Sequence, residues 1–92
     1  MRLDYFLKLS RIIKRRPLAK EVCEKRLVRI NDQIAKASKD VEIGDIIAIS
    51  LRNRRMKVRV EQVPERAVSR KDAAALYTVL EDFHEREDDV LC

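Results

Sequence analysis

The chain has 92 residues, 46% of them hydrophobic and 40% charged, with a net charge of +5. That length suits one domain, and the apolar content is enough for a packed core, which excludes a wholly disordered chain. No apolar run is long enough to span a membrane, Lys8, Arg11 and Lys14 break up any N-terminal secretion signal, and Cys23 and Cys92 fit neither a disulfide framework nor a metal-ligand spacing, so a cytoplasmic protein is expected.

From the N-terminus, Leu3, Phe6 and Leu7 keep the i, i+3, i+4 spacing of a short amphipathic helix. Asp4, Lys8 and Arg11 fall on its opposite face, with Asp4 before Lys8 in the favourable acid-to-base order. Ser10 ends this helix or caps the turn over residues 11–14. Pro17 suits the first position of a second helix, in which Leu18, Ala19, Val22 and Cys23 form the buried stripe. Lys20, Glu21, Glu24 and Lys25 face water. Proline disfavours the α region for the residue before it, so Arg16 is expected to be extended at the helix mouth, beside its unpaired N–H groups. Lys14 and Arg15 crowd the same junction.

The middle of the chain reads as β structure. Val28 and Ile30 alternate with Arg29, and Asn31-Asp32 makes a turn. Gly44-Asp45 reads as a tight turn entering a strand, and residues 52–55 read as a hairpin loop whose arginines form a solvated tip or, as the alternative, a second phosphate contact. "MKVRVEQV" then places Met56, Val58 and Val60 on one face of a strand. After Pro64, Ser69 and Asp72 resemble a capping box, followed by a helical apolar stripe of Ala73, Leu76, Tyr77, Leu80 and Phe83. The acidic tail "EREDDVLC" is expected to fray.

Charge is segregated along these pieces. Residues 1–39 hold twelve Lys/Arg against four Asp/Glu, a balance of +8, while residues 64–92 hold four against eight, a balance of −4. Seven of the cations lie within residues 2–21. Such a lopsided molecule is steered towards polyanions. Catalytic chemistry has little support: His84 has no nucleophile or carboxylate partner by spacing, and a single glycine excludes a Gly-rich phosphate loop. No enzyme, cofactor or metal is expected. Aromatics make up only 4% of the chain, so Tyr5 and Tyr77 are expected to pack rather than to stack on bases, and no single-strand stacking platform is expected.

Arg2-Leu3-Asp4, Leu7, Ser10-Arg11, Ala19, Val28, Ile30-Asn31, Ser38, Val41 and Gly44-Asp45 form an ordered set that resembles the small RNA-binding domain first seen in ribosomal small-subunit protein four. "MRLDYFLKLSRIIKRRPLAKE", "AKASKDV" and "AAALYTVLED" are similar to the RqcP family of bacterial ribosome quality control; heat-shock protein fifteen shares the general domain. The resemblance implies an α+β fold, with two helices packed on a small bent antiparallel sheet and RNA gripped by the helices' outer face. It also implies a factor that binds large ribosomal subunits blocked by peptidyl-tRNA. In that role it contacts rRNA and tRNA and supports alanine tailing by an RqcH-type partner. Carried over by position, Arg2, Arg11, Arg15 and Arg16 match RNA-facing cations, joined by Lys14 and Lys20. Lys36, Lys39 and Arg26 are additional candidates. Arg26 and Asp32 stand where the domain usually has glycine. Arg26 therefore either takes a left-handed conformation or lengthens the second helix by a residue.

The expected organisation is an RNA-binding domain over residues 1–63 and a C-terminal helix with its acidic tail over 64–92, in one globular unit and, by default, a monomer. The alternatives are an interaction adaptor working through the acidic C-terminus and a rescue factor of the heat-shock protein fifteen type. Asp4 is expected to serve a nearby cation of the chain itself. The RNA reading requires the guanidinium groups to share a direction and to remain free of the protein's own carboxylates.

Overall fold

The computed structural model describes residues 1–51, 53–66 and 68–84. Helix α1, Leu3–Leu9, buries Leu3, Phe6 and Leu7 completely. A neighbouring loop receives its N-terminus: Leu3 N–H donates to the Lys39 carbonyl at 2.8 Å and Asp4 N–H to the Ala37 carbonyl at 3.1 Å. Val41 N–H donates back to the Met1 carbonyl at 2.8 Å. These bonds satisfy donors that a helix start leaves unpaired, and they fix the 37–41 segment beside Arg2.

Helix α2, Arg16–Glu24, begins one residue earlier than Pro17 suggested. The extended residue is Arg15, at φ −122° and ψ 132°, while Arg16 is already helical. Proline sits at the second helical position, where its missing N–H is still no loss. Ala19, Val22 and Cys23 are buried, but Leu18 is 47% exposed and leaves the stripe expected of it.

Both helices stop on an arginine in the left-handed region, Arg11 at φ 64° and Arg26 at φ 61°. Arg26 N–H donates to the Cys23 carbonyl and Leu27 N–H to the Val22 carbonyl, both at 3.0 Å, which is the Schellman closure usually built on glycine. Of the two outcomes open to Arg26, the left-handed one is realised.

Strands β1 (Val28–Ile30), β2 (Gln33–Ile34), β3 (Ile46–Leu51) and β4 (Arg54–Val60) pair antiparallel. Asn31 and Asp32, at φ 52° and 69°, close the β1–β2 hairpin as a two-residue turn with both residues left-handed. Gly44 at φ 94° enters β3, its N–H donating to the Val60 carbonyl at 2.8 Å. Asp45 holds the adjoining turn by accepting from Glu42 N–H at 2.9 Å and from Asn31 Nδ2 at 3.1 Å. The β3–β4 loop is shorter than residues 52–55, because Arg54 and Arg55 already belong to β4. Ile47, Ile49, Val58 and Val60 point inward and share one core with α1 and α2.

The C-terminal helix is the main correction. Ser69 does cap: its Oγ accepts from Asp72 N–H at 3.2 Å and donates to the Asp72 carboxylate at 3.1 Å. Yet α3 covers only Arg70–Ala73, a 3-10 turn follows over Ala74–Leu76, and Tyr77–His84 is a strand, β5. Tyr77, Thr78 and Val79 favour extended backbone, and β4 would otherwise present a bare edge. The order is β2-β1-β3-β4-β5, with β5 at the rim. A bulge at Lys57/Val58 leaves Leu80 as the extra residue, since Lys57 faces Glu81 and Val58 faces Val79. Leu76 is buried, Tyr77 packs partly against the core, and Leu80 and Phe83 are exposed. The acidic tail, Cys92, Arg52 and the His84 side chain lie outside the described residues.

Candidate nucleic-acid interface

Two cationic clusters flank α1, one at each end. At the N-terminal end stands Asp4, a carboxylate whose side chain is only 3% exposed. Arg2 Nε donates to its Oδ1 at 3.2 Å and Nη2 to its Oδ2 at 3.4 Å; Tyr5 N–H also donates to Oδ1, at 2.8 Å. From the start of α2, Arg16 Nε lies 3.5 Å from Oδ2, and its guanidinium carbon stands 5.2 Å from the Tyr5 ring centroid. Asp4 therefore partners Arg2 and Arg16, not Lys8 one turn on. It is the chain's own partner for nearby cations, as its position suggested.

Two arginines thus fail the strict requirement that they be free of carboxylates. Their arrangement nonetheless leaves cationic surface. One charge is shared between two guanidiniums, each about half exposed. An arginine carries five N–H donors, of which Arg2 uses two and Arg16 engages one here. Lys20 and Pro17 join Arg2, Asp4 and Arg16 around a shallow cleft of about 440 Å³. The buried carboxylate holds the two forks side by side, which lowers the entropy lost when they meet a phosphate.

The second cluster is a groove of about 720 Å³ lined by Lys8, Leu9, Arg11, Lys14, Val68 and Arg70. Its lining holds four cations and no carboxylate, and among the described residues none of those four forms an ion pair. The left-handed backbone at Arg11 turns the chain here, and the segment before α3 brings Arg70 up to it. Seven residues of helix set the two clusters about 10 Å apart.

The expected residues therefore divide. Arg2, Arg16 and Lys20 assemble in one cluster and Arg11 and Lys14 in the other, while Arg15, the exposed N-cap of α2, lines neither cleft. Lys39 is brought beside Arg2 by its carbonyl bond to Leu3, and Lys36 shares its turn through the Lys39 N–H at 3.0 Å. Arg26 closes the far end of α2 and joins neither cluster. Lys8 and Arg70 also line the groove, and sequence reasoning misses both. Spacing pairs Lys8 with Asp4, and Arg70 lies inside a capping box far along the chain, where no local signal ties it to Arg11.

Burial pushes the Cys23 thiol up to about 11, with the Asp4 and Glu24 charges adding to the shift. No group of three or more His, Cys, Asp or Glu side chains able to hold a metal occurs among the described residues.

Residues 1–47 match the family model of the S4 domain. Among curated relatives, the RQC P-site tRNA stabilizing factor of Halalkalibacterium halodurans is 46% identical, covering 86% of this chain and 89% of its own. That of Bacillus subtilis is 43% identical over 89% and 94% respectively. The solved structure of Vibrio cholerae heat shock protein 15, a trimer, superposes with a TM-score of 0.77 at 32% identity, covering 86% of this chain and 80% of that one. The solution structure of a hypothetical protein gives 0.76 at 34%, covering 88% and 98%. With its helical half matched by the domain model and its relatives covered almost end to end, the chain belongs to the S4-domain family of RQC P-site tRNA stabilizing factors.

Proposed function

We propose that this chain is a non-enzymatic RNA-binding factor of ribosome quality control, acting as a monomer in the cytoplasm. It binds the large ribosomal subunit obstructed by peptidyl-tRNA and supports alanine tailing of the stalled chain with an RqcH-type partner. The observation that carries this reading is the pair of cationic clusters on either end of α1, one ordered by a buried carboxylate and the other free of acids. Phosphate contacts position a protein without reading sequence, and duplex RNA is met chiefly through phosphate and 2′-hydroxyl groups. Two clusters about 10 Å apart on one rigid helix suit a composite RNA surface better than a lone strand. The names of the relatives, which specify P-site tRNA, support the same reading.

The test is purification of native complexes with wild-type protein and with Arg16→Ala. Large-subunit rRNA, tRNA and nascent chains ending in alanine are expected with the wild type and depleted with the variant. Recovery of ribosomes whose nascent chains carry no added alanine favours instead a rescue role of the heat shock protein 15 type, to which the 0.77 TM-score lends weight.

A further inference from the structure

The sheet has a second face, turned away from α1 and α2 and from both cationic clusters. Alternation places Arg29, Ala48, Ser50, Arg55, Lys57 and Phe83 on it, opposite the buried Ile47, Ile49, Met56 and Val58. Phe83 on the rim strand is 64% exposed and lies directly across from Arg55. A benzyl group left in water beside cations invites a ligand that is both flat and anionic.

Two shallow grooves meet at this ring. One, of about 370 Å³, runs towards Ala48, Lys57 and Glu81; the other, of about 570 Å³, runs towards Leu27, Leu51 and Asn53. Ser50, Arg55 and Phe83 line both, so the grooves form one track across the strands. Small side chains at Ala48 and Ser50 keep its floor low. Arg54 is spent on Asp82 through bonds of 3.1 and 2.9 Å, whereas Arg55 has no protein partner among the described residues. Lys57 is held only loosely, 3.8 Å from Glu81.

We infer that this face is a stacking platform for single-stranded RNA, with an unpaired base on Phe83 and the flanking phosphates on Arg55 and Lys57. An aromatic ring on a sheet between cations accepts any base, because every base presents a π-face. The length of the track and the unpaired cations favour a polynucleotide over an apolar protein segment, which would leave Arg55 and Arg29 without partners. The platform is separate from the helical clusters, so the protein can hold folded RNA on one side and a loop or free end on the other.

The full-length protein titrated with a short oligoadenylate strand at low salt tests this by anisotropy and by the ring resonances of Phe83. Phe83→Ala is expected to weaken binding about 5- to 100-fold, Phe83→Trp to restore it, and the bound base to shift the ring resonances upfield. The Phe83-dependent part of binding should persist in Arg16→Ala, which disturbs only the helical side. Equal affinity for wild type and Phe83→Ala, or binding with unshifted ring resonances, overturns the proposal and leaves this face to an apolar protein partner.

Discussion

Asp4 and Arg16 meet across the α1–α2 junction, Oδ2 to Nε at 3.5 Å, with Arg2 on the carboxylate's other oxygen. The pair sets a test in which charge and positioning predict opposite signs. Removing a negative group beside a phosphate site should tighten RNA binding if Coulomb attraction alone mattered. If Asp4 orients the two forks, Asp4→Asn weakens binding severalfold and lowers stability by about 1–2 kcal/mol, because a buried acceptor of three donors is lost. Binding curves and urea melts of the variant distinguish the two.

Arg70 and Lys8 line the acid-free groove with Arg11 and Lys14. Arg70→Ala or Lys8→Ala should each weaken binding to peptidyl-tRNA-bearing large subunits and make the salt dependence shallower by about 1 for each phosphate no longer neutralised. Folding should be unaffected, since neither residue supplies core. An unchanged salt slope in both variants would remove the groove from the interface.

Arg26 is a non-glycine residue at φ 61°. A left-handed conformation costs an ordinary L-residue about 1–2 kcal/mol, offset in part by the greater freedom of glycine in the unfolded chain. Arg26→Gly should therefore stabilise the fold by up to about 1 kcal/mol, raising Tm by about 4–8 °C. Arg26 lies in neither cluster, so affinity for large subunits should hold. A drop in Tm, or a marked loss of binding, contradicts this account of the turn.

The buried Cys23 thiol, raised to about 11, makes stability depend on pH in alkali. Its ordinary value is near 9, so between pH 9 and 11 the unfolded chain releases this proton before the folded chain does. Stability from this source is complete below pH 9 and falls as pH rises to 11, by an amount on the order of 2 kcal/mol. Cys23→Ala should flatten that part of the pH profile of urea unfolding. A slope that survives the substitution would belong to other groups.

The helical half of the fold was legible because its cues agree: Leu3, Phe6 and Leu7 keep one period, Pro17 marks a start, and the same residues carry the family motif. The C-terminal segment failed for a physical reason. Ala73, Leu76, Tyr77, Leu80 and Phe83 fit a helical stripe, but only Ala73 and Leu76 lie on helical turns; Tyr77, Leu80 and Phe83 sit on a bulged strand, and the open edge of β4 decides between the two. No local period reports that edge. In the two clusters, chain position groups Arg2, Arg16 and Lys20, while the Asp4–Arg16 pair and the approach of Arg70 to Arg11 join segments distant in the chain.

If cations of α1, α2 and the turn between them hold folded RNA through phosphates, as proposed, binding must answer to salt. Affinity for large ribosomal subunits carrying peptidyl-tRNA, measured across a range of salt concentrations, should fall with a log–log slope of roughly −3 to −5 if about four to six phosphates are neutralised. Arg16→Ala should weaken binding and reduce that slope by about 1. Affinity that barely changes with salt, or a slope that Arg16→Ala leaves intact, contradicts the claim.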